Sequence, residues 1–221
     1  DKGGLGIEGG LVLAGLLHGM GKLRTLNVQD NELGESAAAI CDALRESKVS
    51  MVSELDVRHN RISGDGARQL AAAVLANNRI ETFNTIPIKE MRADSLSELD
   101  LRNEGLGDKG GLGIEGGLVL AGLLHGMGKL RTLNVQDNEL GESAAAICDA
   151  LRESKVSMVS ELDVRHNRIS GDGARQLAAA VLANNRIETF NTIPIKEMRA
   201  DSLSELDLRN EGLGDKGGLG I

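Results

Sequence analysis

Two glycine clusters, Gly4-Leu-Gly6-Ile-Glu-Gly9 and Gly111-Leu-Gly113-Ile-Glu-Gly116, have the spacing of a dinucleotide-binding turn. Glycines at these offsets let a backbone approach a pyrophosphate at a helix N-terminus, provided that the first glycine ends a strand. Here the strand-like run ends at Leu101, and Gly111 lies ten residues further on. The neighbouring loops also carry glycine without the motif. The cluster therefore reads as an insertion in a strand-to-helix loop, and no cofactor is expected. The histidines do not gather. His18 and His59 have no second His, Cys or arranged carboxylate at ligand spacing, so no metal site is expected. Cys41 and Cys148 sit at one position of two identical helical stretches, ESAAAICDALRES, where a small buried thiol fits. Nothing resembles a nucleophile elbow, a zinc helix or a P-loop, so no catalytic residue is expected and the chain reads as a non-enzyme.

The charged residues are more regular. Glu54, Asp56 and Arg58 alternate along one short run, with His59 beside them, and Glu98, Asp100 and Arg102 repeat the pattern. A second set follows as Glu161, Asp163, Arg165 and His166, then Glu205, Asp207 and Arg209. Alternation with period two places one such set on a single strand face. The runs between them carry Thr25, Asn27 and Gln29, or Thr82, Asn84 and Ile86, at the same offsets. Each column across the strands thus alternates charged with uncharged. With strands roughly 4.8 Å apart, like charges sit roughly 10 Å apart, about a Debye length at 0.1 M salt. This face is either a self-compensated soluble surface or a polar dock for a protein or peptide, and these fourteen residues are the candidate partner-binding set.

What must position them is a repeat. Residues 108–214 copy residues 1–107 letter for letter, and residues 215–221 begin a third copy. Exact identity implies an engineered chain, a very recent duplication or a segment of a longer periodic array. Inside each unit, Leu23-Arg-Thr-Leu26-Asn-Val28-Gln-Asp-Asn31-Glu-Leu33 recurs as Val52 to Ile62 and as Leu96 to Leu106, with only its opening kept at Ile80. Starts at 23, 52, 80, 96 and 130 give spacings of 29, 28, 16 and 34. Stacked units of this kind make a solenoid, so residues 1–221 are expected to form one continuous body rather than two domains.

LxxLxLxxN followed by GDGARQLAAAVLANN resembles leucine-rich repeats of the long, ribonuclease-inhibitor-like type. The resemblance implies an α/β horseshoe with a parallel sheet on the concave face and helices on the convex face. The residues agree with it. Leu26 and Val28 should point inward, with Thr25, Asn27 and Gln29 in solvent. Gly34-Glu35-Ser36 and Gly64-Asp65-Gly66 should break the chain and cap helices. Apolar stripes follow at helical spacing: Ala67, Leu70, Ala71, Val74 and Leu75, then Ala37, Ile40, Cys41 and Leu44. Asn31 and Asn60, at the turn that leaves each strand, can tie one coil to the next, because a buried amide both donates and accepts. Glu104 replaces that Asn and is expected to face solvent or a basic side chain. The short coil 80–95 lacks room for a full helix. Pro87 should bar regular pairing there while Ile86, Ile88 and Met91 plug the layer.

Composition narrows the partners. A net charge of −8, or −4 for each unit, argues against nucleic acid and anionic membrane. Aromatics are limited to Phe83 and Phe190, so aliphatic side chains must fill thin layers. The cysteine usage and the lack of Asn-x-Ser/Thr favour a cytoplasmic setting. The leading expectation is a non-enzymatic protein-interaction scaffold. The alternative is structural. The first helix has no strand before it, and the last strand, Leu206 to Leu208, has no helix after it. Head-to-tail self-association through such uncapped ends would give a ring or a filament.

Overall fold

The computed structural model describes residues 4–102, 111–169, 171–209 and 211. Each unit opens on a helix, α1 (Gly6–Leu17) or α5 (Gly113–Leu124). Strand and helix then alternate: β1 (Thr25–Asn27), α2 (Ser36–Glu46), β2 (Glu54–Asp56) and α3 (Gly64–Ala76), matched by β6 (Thr132–Asn134), α6 (Ser143–Glu153), β7 (Glu161–Asp163) and α7 (Gly171–Ala183). The short coil gives β3 (Thr82–Phe83), β4 (Ile86–Pro87) and α4 (Ile88–Arg92), then β5 (Glu98–Asp100). Its copy gives β8 (Thr189–Phe190), β9 (Ile193–Pro194) and α8 (Ile195–Arg199).

Adjacent coils pair in parallel and in step: Thr25 faces Glu54, Leu26 faces Leu55 and Asn27 faces Asp56. Leu26, Val28, Leu55 and Val57 are buried against the helix layer, whereas Thr25 and Asn27 are exposed. The helical stripes meet them from the other side, with Ala37, Ile40, Cys41 and Leu44 buried on α2 and Ala67, Leu70, Ala71 and Val74 on α3. Small residues at these positions let helix and sheet approach closely.

The helices begin differently from the expectation. Neither α2 nor α3 has a side-chain cap. Gly34 and Gly64 instead turn the chain at φ 50° and 52°, where a glycine has no Cβ to clash. The Ser36 hydroxyl donates back to the Leu33 carbonyl at 2.7 Å.

The asparagines form the expected ladder. Asn60 is buried, and its Oδ1 accepts from the amides of Asn31 and Leu33 at 3.0 and 3.1 Å. Its Nδ2 donates to the carbonyls of Val28 and Val57, each at 2.7 Å. Asn167 repeats this with Asn138 and Leu140, and with Val135 and Val164. Asn138 in turn donates to the Leu101 carbonyl at 2.7 Å.

The sheet is interrupted where the coil is short. Its strands fall into two groups, β1-β2-β3-β4 and β5-β6-β7-β8-β9. Asn84 and Thr85 both have positive φ, 55° and 102°, and reverse the chain so that Phe83 faces Ile86 across an antiparallel pair. Two-residue reversals of this hand suit the twist of paired strands. Pro87 does pair, with Thr82, as the last residue of that hairpin, and having no N–H it donates nothing onward. Ile86, Ile88 and Met91 are buried as expected. The helix layer is not interrupted: α3 packs on α5 just as α1 packs on α2 and α2 on α3.

Two expectations need correction or fall elsewhere. Leu206 to Leu208 form no strand. Their copies, Leu99 to Leu101, pair with Leu133 and Asn134 of the following coil, and strands this short exist only through such a neighbour. Glu104 lies outside the described residues.

Candidate functional site

The strand face carries the charged sets as ordered pairs. Arg58 folds back on Asp56 of its own coil, with Nη2 to Oδ2 at 2.6 Å and Nε to Oδ1 at 3.0 Å. Arg165 does the same on Asp163 at 2.7 Å, and Arg102 on Asp100 at 2.7 Å. Two nitrogens of a rigid fork meeting both carboxylate oxygens make the charge-assisted geometry that fixes a side chain. The Arg102 hydrogen bond holds the Asp100 carboxyl below the usual carboxylate range. Between coils, the Thr25 hydroxyl donates to Glu54 Oε2 at 2.9 Å, and Gln29 Nε2 donates to Asp56. Aspartate and arginine thus neutralise each other within a charged coil, while the uncharged Thr25 and Gln29 bridge to it from the coil before.

The candidate residues are only partly brought together. Glu98, Asp100 and Arg102 share a sheet with Glu161, Asp163 and Arg165, because β5, β6 and β7 are neighbours. Glu54, Asp56 and Arg58 lie in the other sheet. Glu205 and Asp207 are exposed outside any strand, although Arg209 still reaches Asp207 at 2.5 Å. His59 and His166 sit in left-handed turns, at φ 59° and 57°, beside the ladder asparagines. Asn84 and Ile86 do not belong to the face at all. Both are buried, and Asn84 Oδ1 accepts from the Val57 amide at 2.9 Å.

Sequence reasoning missed a neighbouring row of charges. Glu32 and Arg61 also adopt left-handed φ, and they pair across coils at 2.9 Å; Glu139 and Arg168 repeat this at 2.8 Å. Their signal was the complementary charge at the residue after each ladder asparagine. Arg92 was missed as well. Its guanidinium donates to the carbonyls of Leu75, Asn77 and Ile80 at 3.0–3.3 Å and so satisfies the C-terminal end of α3.

The glycine clusters serve packing. The amides of Leu112 and Gly113, which would cradle a phosphate, donate to Oδ1 and the carbonyl of Asn138 at 3.1 and 3.0 Å. A Cβ on Gly111 would lie 2.5 Å from the Asn138 carbonyl oxygen, and one on Gly117 would lie 2.0 Å from Ser143 Oγ. Glu115, inside this cluster, is buried, and burial pushes its carboxyl up to about 7. Its identical copy Glu8 is exposed. Cys41 and Cys148 are free and buried; burial, aided by the adjacent aspartate, raises both thiols, Cys148 to about 12. Among the described residues, no group of three His, Cys, Asp or Glu side chains could hold a metal. No described helix is long and apolar enough to cross a membrane.

The recurring strand, asparagine turn and packed helix define an α/β leucine-rich-repeat solenoid. The family model described as Leucine Rich repeat matches residues 50–71 and again residues 157–178, the windows that carry β2 with the first part of α3 and β7 with the first part of α7. Human Podocan-like protein 1 is similar to this chain, with 29% identity over 208 residues, covering 90% of this chain and 36% of that protein. The chain therefore spans little more than a third of that relative's length.

Proposed function

We propose that this chain is a non-enzymatic protein-interaction scaffold whose strand face docks a protein or peptide of mixed charge. The observation that carries this reading is the repeated Asp–Arg pairing, 2.6–2.7 Å in three successive charged coils, which holds the charged atoms in fixed places on the strand face. A pre-ordered polar face loses little side-chain entropy when a partner binds, and complementary charge supplies the specificity. With a net charge of −8, phosphate backbones and anionic membranes are poor partners. The long, ribonuclease-inhibitor-like type fits the 29- and 28-residue spacings and the full helices α2 and α3. We also read residues 1–221 as one solenoid, on the packing of α3 against α5, and place it in a cytoplasmic setting, on two thiols kept unpaired.

The test is selection from a random peptide display library against the chain and against a variant with Arg58, Arg102, Arg165 and Arg209 changed to Glu. Mixed-charge peptides should be enriched on the parent and lose at least about tenfold in affinity on the variant, the loss of one charge-assisted contact. Equal binding to both proteins, with both folded by circular dichroism, would remove the strand face from consideration.

A further inference from the structure

One loop turns its residue types inside out, and it does so alike in both units. It joins α2 to β2 as Ser47-Lys-Val49-Ser50-Met51 and α6 to β7 as Ser154-Lys-Val156-Ser157-Met158. All four serines are buried. Val49 and Met51 are 48% and 45% exposed, and Val156 and Met158 are 49% and 48% exposed. Each loop lies between neighbouring coils, since α2 packs on α1 and α3, and α6 on α5 and α7. The exposure is therefore a property of the coil itself. A buried polar group beside an exposed large apolar one is the reverse of ordinary patterning and calls for a cause.

Hydrogen bonds fix the inversion. Ser154 Oγ donates to the His125 carbonyl of the preceding coil at 2.9 Å and accepts from the amides of Val156 and Ser157 at 3.3 and 3.0 Å. Ser47 makes the same three contacts, with His18, Val49 and Ser50. The backbone is pinned from inside, and two apolar side chains are held outward before anything binds. The surroundings are basic, in a chain of net charge −8. Lys48 and Lys155 are exposed within the loops and form no ion pair among the described residues. Arg131 donates to the Gly128 carbonyl at 3.2 Å, and a Cβ on Gly128 would lie 3.7 Å from Val156 Cβ. From the following coil Arg186 reaches the Ser154 carbonyl at 3.2 Å. The nearby carboxylates are engaged: Glu153 pairs with Arg152 at 3.1 Å, Glu188 with Lys196 at 2.9 Å, and Asp94 accepts from the Lys129 amide at 3.0 Å.

We infer that each of these two loops docks an acidic segment of a partner protein that also carries an apolar side chain. This goes beyond the strand-face reading and does not depend on it. The apolar side chain covers the valine and methionine, and the carboxylates meet Lys48 or Lys155 and the basic groups beside them. Charge complementarity selects the partner, and the pinned loop keeps the ordering cost of binding low. A lipid bilayer fits this edge less well, because an anionic surface would also meet the field of a chain with net charge −8. The helices α2, α3, α5 and α6 pack in succession. At 8–10 Å for each step, the two loops stand roughly 25–30 Å apart along the helix layer, so both can be occupied at once.

Selection from a random peptide display library on the full chain, followed by calorimetry with the enriched peptides, tests this. Peptides that combine Asp or Glu with Leu, Ile, Val, Met or Phe should be enriched and should fill two equivalent sites per chain. Lys48→Glu, Val49→Ser and Met51→Ser together should leave one site. Adding Lys155→Glu, Val156→Ser and Met158→Ser should weaken the binding that remains by at least about tenfold. All six positions are exposed, and circular dichroism checks that the variants fold. The chain with Arg58, Arg102, Arg165 and Arg209 changed to Glu should keep both sites, which separates this edge from the strand face. A library that yields no such peptides overturns the inference. So do peptides that bind the six-position variant as they bind the parent, or a stoichiometry that the one-loop variant leaves unchanged. Phosphatidylserine vesicles that sediment with the parent and not with the six-position variant would assign the edge to a lipid surface and overturn it as well.

Discussion

Replacing Asn60 with Ala should destabilise the fold by about 3–5 kcal/mol, among the largest effects a single side chain can produce here. The change removes one acceptor shared by the amides of Asn31 and Leu33 and one donor group shared by the carbonyls of Val28 and Val57. These groups are buried between coils, and an unsatisfied buried polar group costs about 1–3 kcal/mol. Asn60→Asp should also be severe. It keeps the acceptors but loses the donors, and it sets a carboxylate against two carbonyl oxygens. Asn31→Ala should cost less, because the Asn31 side chain is half-exposed, takes one bond from the neighbouring coil, the Leu5 amide, and otherwise donates to the Val28 and Gln29 carbonyls of its own coil. Urea denaturation gives the free energies, and amide exchange at Asn31 and Leu33 locates the loss. A drop below about 1 kcal/mol for Asn60→Ala would show that the ladder contributes little beyond what water supplies.

Glu115→Gln should stabilise the protein at pH 8 by up to about 3 kcal/mol and leave it unchanged near pH 4. The carboxyl titrates at about 7 in the fold against 4.5 in an open chain, because burial disfavours its charge. The folded state therefore holds the proton more tightly than the unfolded state does. Its contribution is fully present below pH 4.5 and is lost as pH rises through 7. A shift of this size corresponds to about 3 kcal/mol, at 1.36 kcal/mol per pH unit. Glutamine keeps an acceptor at the start of α5 without the buried charge. Glu8→Gln is the matched control: the same residue in the same sequence, exposed, with no expected gain. Thermal melts of both variants from pH 4 to pH 8 decide the matter, and parallel curves for Glu115→Gln and its parent would rule the buried charge out as a cost.

That pair of glutamates also shows where sequence reading stops. Glu8 and Glu115 have identical neighbours along the chain, and only the coil stacked before Glu115 separates an exposed carboxylate from a buried one. The same holds for Leu206 and Leu99, since a three-residue strand exists only where another strand lies beside it. The ladder and the inward leucines were legible because period and residue type specify them together. The hairpin in the short coil was not. Asn84-Thr85 lacks the glycine that usually announces a tight reversal, and Thr85 carries a branched side chain at a positive φ that sequence statistics disfavour. Once the chain reverses there, Asn84 and Ile86 leave the solvent face for the core. On that face, the positions of the charges could be read from alternation, but their partners could not. A self-compensated face did not by itself say that each arginine would take the aspartate two residues before it.

The asparagine ladder has a sense of direction. Asn60, Asn138 and Asn167 each accept from, and donate to, the coil that precedes them, and Asn84 accepts from the Val57 amide of its preceding coil. A ribosome releases these coils in that order. Each newly emerged asparagine then closes the backbone of the coil already outside, so every coil waits for its successor before it is complete. Synthesis and stabilisation run as one queue, and the coil most recently made is always the one still open.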